Sequence, residues 1–379
     1  MGHESAGEVV AVGEMVTTHQ VGDRVAVEPG LPCRRCVNCK SGRVNICLSR
    51  LVSSEEEWGR KAHNEKSREH MRSRKAWIAN DRAGMRYCGS PGSVGSLMRY
   101  FALPADMAPH IPDNISWEVA GSIQPLAIGV QVGKRVDLRP HLTLAICGCG
   151  PIGLITAAVA HAYSARKIIG FDINPSRVEF ARKYMSPLTG KPIYDYVFLS
   201  ESIPTTPLSG NPLARAEKQG EAPGPAGIAD GEVPDAEEDP TEGDIRWENA
   251  KLIAAEWVAQ AGLTAEEGFD RVVEASGAED CGLLGVALAK QGGNYLAIGL
   301  GHIQTHLMPT LAITNKELDV RGITRYTASC FPSAIDMLSR GVVDLKPLIT
   351  KVYPLTQSTE AFEAVASGRE IKVIVKNQE

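Results

Sequence analysis

The sequence predicts an α/β protein in which a small all-β unit opens the chain and a doubly wound parallel sheet fills its middle. Two observations carry that expectation. Short β-branched runs broken by glycine occupy the first thirty residues, and strand-like and helix-like periods alternate from Leu142 onward. At 379 residues and 43% hydrophobic, the chain is long for one domain and can bury a large core, so two domains are expected. Its net charge of -5 gives no basic field for nucleic acid or anionic lipid. No apolar stretch reaches bilayer length, and Met1 to Ser5 lacks the basic start and apolar run of a signal peptide. A cytoplasmic protein without nucleic-acid or membrane partners is therefore expected.

Taken in order, Glu8–Val12 and Asp23–Val27 read as short strands of a small barrel, punctuated by Gly13 and Gly22. Cys33, Cys36, Cys39 and Cys47 follow with the spacing C-x2-C-x2-C-x7-C, which can wrap four thiolates around one tetrahedral zinc. Buried small hydrophobes or two disulfides are the competing readings. The crowding of four thiols in a chain without a secretory start favours the metal. A zinc with four protein ligands has no open position and is structural. Glu55 to Arg82 is densely charged without apolar periodicity and is expected to be a solvated loop or frayed helix.

From Leu142 the alternation implies βαβ units. Gly148-Cys149-Gly150-Pro151-Ile152-Gly153 joins the apolar run Leu144–Ile146 to a helical period, and Asp172 closes the next strand nineteen residues after Gly153. In that setting Gly148 and Gly150 allow a tight turn and close approach to a pyrophosphate, Gly153 allows close helix packing, and the helix N-terminus faces the phosphates. The alternative is a Gly-rich turn in an ordinary α/β protein. Asp172 can accept hydrogen bonds from both ribose hydroxyls and would repel a 2′-phosphate, which points to NAD over NADP. Between Glu201 and Glu248 the rhythm stops in a Pro-, Gly- and Ala-rich stretch that turns acidic at Asp235–Asp239, and a disordered insertion is expected. The alternation returns with Leu252–Ala261, Arg271–Glu274 and Tyr295–Ile298.

Gly2-His3-Glu4-Ser5-Ala6-Gly7, the cysteine lobe opening at Glu28–Cys36, the fingerprint with Asp172, Glu274–Glu279 and Arg321–Tyr326 occur in one order. Together they resemble the sorbitol and xylitol dehydrogenase branch of the zinc-containing medium-chain alcohol dehydrogenases. The resemblance implies a GroES-like catalytic barrel over residues 1–125 and 325–379, split around a Rossmann NAD-binding domain over 126–324. It also implies an active site in the cleft and a homotetramer. Carried over residue by residue, it puts His3 and Glu4 on two catalytic zinc ligands and Gln124 where the branch usually has a glutamate beside the zinc. Tyr100, Arg325 and Tyr326 fall on the substrate pocket. Asp172 and Arg177 fall on the adenosine ribose, beside Gly148, Gly150, Ile152 and Gly153. The family's remaining protein ligand is a cysteine in a Gly-x-Cys-Gly-Ser-Asp motif well ahead of the His-Glu pair. Met1 stands directly before that pair, so a chain short of that segment and of one catalytic ligand is expected. The implied activity is zinc-assisted, NAD-dependent interconversion of a small polyol and its ketose, with xylitol leading and sorbitol or L-arabinitol as alternatives. A catalytically silent NAD-binding homologue is the competing class.

Overall fold

The computed structural model describes residues 2–48, 86–89, 93–214, 240–264, 266–301 and 305–377. Strand β1 (Ala6–Glu8) pairs antiparallel with β2 (Arg24–Ala26), and β3 (Gly30–Leu31) pairs antiparallel with β4 (Arg86–Tyr87), with α1 (Val37–Lys40) between them in sequence. The strand expected at Glu8–Val12 starts and ends earlier. Val10 and Val12 are 54% and 43% exposed, so the β-branched run has no core to face beyond Glu8. After α2 (Trp117–Ala120), α3 (Ile123–Arg135) buries most of its length from Ile123 to Gly133.

The parallel sheet begins with β5 (Thr143–Cys147) and continues through α4 (Pro151–Ala162), β6 (Lys167–Asp172), α5 (Pro175–Lys183) and β7 (Tyr196–Leu199). Its second half is α6 (Glu242–Gln260), β8 (Phe269–Glu274), α7 (Glu279–Leu288), β9 (Ala289–Ala297), α8 (Thr310–Asn315) and β10 (Asp319–Gly322). The strand order is β10-β9-β8-β5-β6-β7, all parallel, so the winding direction reverses between β5 and β8. Ligands of such sheets bind at the carboxyl ends beside that reversal. Alternate residues of β5 serve two cores: Leu144 and Ile146 face one cluster with Leu154 and Val159, while Ala145 and Cys147 face the other with Trp257 and Leu284. The chain ends with α9 (Cys330–Ser339), which packs in the first core, then β11 (Ile349–Pro354), α10 (Ser358–Ala366) and β12 (Lys372–Lys376), the two strands pairing parallel.

Described elements enter the stretch expected as a disordered insertion, about Glu201–Glu248, from both ends. Thr241 opens α6 through a capping box, its hydroxyl accepting from Asp244 N at 3.2 Å while the Asp244 carboxylate accepts from Thr241 N at 2.9 Å. On the other side, Asn249 of α6 is fully buried and clamps the segment after β7. Its Oδ1 accepts from Leu208 N and Asn211 Nδ2, and its Nδ2 donates to the carbonyls of Pro204 and Thr206. The acidic run at Asp235–Asp239 and the charged stretch Glu55–Arg82 lie outside the described residues. Asn249→Ala should cost about 2–4 kcal/mol, because it strands several buried backbone groups at once. Urea unfolding would measure this, and a loss below about 1 kcal/mol would contradict the clamp.

Candidate functional site

The four-cysteine lobe is built by backbone donors aimed at sulfur. Cys36 caps α1 and its Sγ accepts from Cys39 N at 3.5 Å and Leu48 N at 3.4 Å; Cys33 Sγ accepts from Cys36 N at 3.3 Å, and Cys47 Sγ from Cys33 N at 3.4 Å. All four sulfurs lie within 4.8 Å of one another, with Cys33–Cys39 at 4.0 Å and Cys36–Cys47 at 3.9 Å. A zinc bound at about 2.3 Å to four thiolates places them roughly 3.8 Å apart, so the donor set fits that ion. Backbone donors, the Arg35 amide foremost, hold the Cys33 thiol below its ordinary value, while burial and the neighbouring thiols push Cys39 up, so the four sulfurs are not equally ready to ionise. All nine cysteines are free, so the two-disulfide alternative is not realised.

At the carboxyl edge of the sheet, Gly148 has φ +98° and a Cβ on Gly153 would lie 1.9 Å from the Gly148 carbonyl oxygen. Only glycine at both positions lets β5 turn this tightly into α4, whose N-cap is Gly150. Ile152, half-buried, stands in the first turn of that helix. Asp172 ends β6 with its carboxylate accepting from Cys149 N and Asn174 N, both at 2.8 Å, and Arg177 Nη1 lies 3.9 Å away. A carboxylate offers about four acceptor sites, so two remain for ribose hydroxyls and the cradle fits a dinucleotide. Glu274 at the end of β8 accepts from Ser276 N, Ser276 Oγ and Gly277 N, which fixes the loop on the other side of the reversal.

A third cluster forms around Tyr87. The His3 ring leans on it at 5.4 Å, Gln124 Nε2 donates to its hydroxyl at 2.8 Å, and the Arg325 guanidinium covers its face at 4.4 Å. Tyr326, 5% exposed, packs beside Phe331 and lines the same cavity as Tyr87 and Arg325. Burial, then Lys372 and Arg325, hold His3 below its ordinary value and keep the imidazole neutral. Glu4 Oε1 lies 3.7 Å from His3 Nε2, and its other oxygen accepts from Lys372 of β12. No third His, Cys, Asp or Glu among the described residues joins this pair. A catalytic zinc takes three protein ligands, so the donor set here is incomplete for one. Tyr100, expected in the pocket, is instead 68% exposed and lines no part of the cavity. It sits on a stretch, Arg99–Tyr100, that buries neither side chain. Tyr87 was not singled out by the sequence, since an isolated aromatic between Arg86 and Cys88 carries no spacing signal.

Residues 1–113 match the alcohol dehydrogenase GroES-like domain. The probable D-xylulose reductase A of Aspergillus clavatus is 30% identical over 99% of this chain and 79% of its own length. The chain belongs to the zinc-containing medium-chain alcohol dehydrogenase family. Within it, the D-xylulose reductase A of Aspergillus niger is 29% identical over the same shares of the two chains. The fold is also that of L-idonate 5-dehydrogenase from Escherichia coli, with a TM-score of 0.66 at 20% identity, covering all of this chain and 81% of that one. The six-stranded order and the β5-to-α4 turn are therefore those of a medium-chain dehydrogenase.

Proposed function

We propose that this chain is an NAD-dependent polyol dehydrogenase that interconverts xylitol and D-xylulose in the cytoplasm as a homotetramer. As a member of its family it is an oxidoreductase acting on CH–OH groups. The observation that carries the polyol reading is the convergence of His3, Gln124 and Arg325 on Tyr87, because it gathers donors and acceptors for several hydroxyls around one aromatic face. The names of the fungal relatives point to xylitol. Among the described residues no helix is long and apolar enough to cross a membrane. β10 ends the sheet with an open edge on which Val320 is 46% exposed, a surface suited to a second copy.

NAD, when bound, supplies the hydride acceptor. The chain's own part is to accept the ribose hydroxyls at Asp172, face the pyrophosphate with the N-terminus of α4, and donate from Arg325 to substrate hydroxyls. Gln124, a neutral amide, adds no negative charge beside the reacting alcohol, which eases its ionisation. A second reading, an NAD-binding homologue without turnover, draws support from the Glu4–Lys372 pair and the two-ligand donor set. The test is NADH formation from xylitol, sorbitol and L-arabinitol by the purified chain, with its mass followed by light scattering. Turnover led by xylitol in a four-chain particle, however slow, supports the dehydrogenase reading; tight NADH binding with no turnover on any polyol selects the silent reading instead.

A further inference from the structure

A cavity of about 210 Å³ opens behind the Tyr87 cluster, walled by Glu28, Arg34, Tyr87, Asp106, Arg325 and Tyr326. Arg34 and Asp106 neutralise each other at its exposed rim. The two remaining charges do not. Glu28 follows β2, its backbone N donating to Met107 O at 2.9 Å, and among the described residues the groups that act on its carboxyl are its own burial and the Asp106 carboxylate, with no donor or cation. Arg325 has a buried Nη1 that finds no acceptor among the described residues, and its guanidinium lies over the Tyr87 ring. An acid and a base thus line one small cavity with no ion pair between them among the described residues, which leaves both able to bond a polar group that enters it. Arg34 and Arg325 also hold φ at +62° and +53°, left-handed values that non-glycine residues seldom adopt outside constrained sites.

We propose that Glu28 and Arg325 form a subsite that grips the hydroxyls at the far end of a bound polyol. The inference rests on the polyol reading above and adds Glu28 as its specificity-determining residue. A hydroxyl both donates and accepts, so two neighbouring hydroxyls satisfy both groups at once: one donates to the Glu28 carboxyl and the next accepts from the Arg325 guanidinium. Burial and the Asp106 carboxylate push Glu28 up to about 7, and either protonation form can bond a hydroxyl. A simple diol, having no distal hydroxyls, gains nothing from the pair.

The test compares the full chain with Glu28→Gln and Glu28→Asp, using xylitol and 2,3-butanediol as probes. KM for xylitol should rise at least tenfold in Glu28→Gln while kcat changes less than threefold, and the 2,3-butanediol parameters should stay within twofold. Glu28→Asp, which keeps the carboxylate, should recover part of the loss. Calorimetric titration of xylitol into the NADH-saturated chain gives a readout independent of turnover, and NADH binding verifies that each variant is folded. Xylitol binding without turnover in the parent chain, weakened tenfold in Glu28→Gln, would sink the dehydrogenase reading and keep the subsite. Turnover with an unchanged xylitol KM would sink the subsite and keep the dehydrogenase. If Glu28→Gln does not fold, Glu28→Asp decides alone: an unaltered ratio of xylitol to butanediol kcat/KM overturns the proposal.

Discussion

Cys36→Ser is expected to remove about one zinc per chain and to disorganise the lobe between β3 and β4. Cys36 caps α1, receives two backbone donors on its sulfur and supplies one of the four converging thiols. Serine keeps the cap but is a poor zinc ligand at neutral pH. Structural zinc contributes apparent binding energies of about 10–16 kcal/mol in small zinc-dependent peptides, and that energy is also folding energy. Losing a quarter of the donor set should therefore lower the unfolding temperature clearly and make the chain sensitive to chelators that the parent resists. Metal analysis alongside thermal unfolding checks this. A variant with undiminished zinc and an unchanged transition would show that the sulfurs converge for another reason.

Asp172→Ser should reverse the cofactor preference. The carboxylate stands at the end of β6 with two acceptor sites spent on Cys149 N and Asn174 N and two left for the ribose. Hydrogen bonds to a charged acceptor contribute about 1.5–3 kcal/mol each, so losing those to the ribose should weaken NAD at least tenfold. Removing the negative charge also lifts the repulsion of a 2′-phosphate, and the ratio of NADP to NAD efficiency should rise roughly a hundredfold, the two effects adding. Side-by-side titration of NADH and NADPH by fluorescence, with no substrate present, separates this from effects on turnover. Equal loss for both cofactors would mean that Asp172 braces the turn through Cys149 and Asn174 rather than reading the ribose.

These two sites were the most legible in the sequence, because each depends on residues close together along the chain. The cysteine spacing already limits how four sulfurs can meet, and the fingerprint brings its strand, turn and helix within thirty residues. The Tyr87 cluster could not be read in the same way. His3, Gln124, Arg325 and Lys372 come from distant parts of the chain, and no periodicity or spacing relates them. In the sequence Glu28 is a single acidic residue ahead of the cysteines, with no spacing that marks it. Its role depends on which partners fail to reach it, and a sequence does not display that. The start of α6 is a different case: Thr241 and Asp244 form a local cap signal that the surrounding prolines and glycines obscured.

The Asn249 clamp has a consequence for how this fold tolerates change over evolutionary time. By holding Pro204, Thr206, Leu208 and Asn211 against α6, it fixes both ends of the intervening chain to one rigid point. One substitution at the anchor is therefore felt on both sides, by α6 and by the segment that follows β7. Selection should accordingly act strongly on that single asparagine, because four neighbours lose their partner together when it changes.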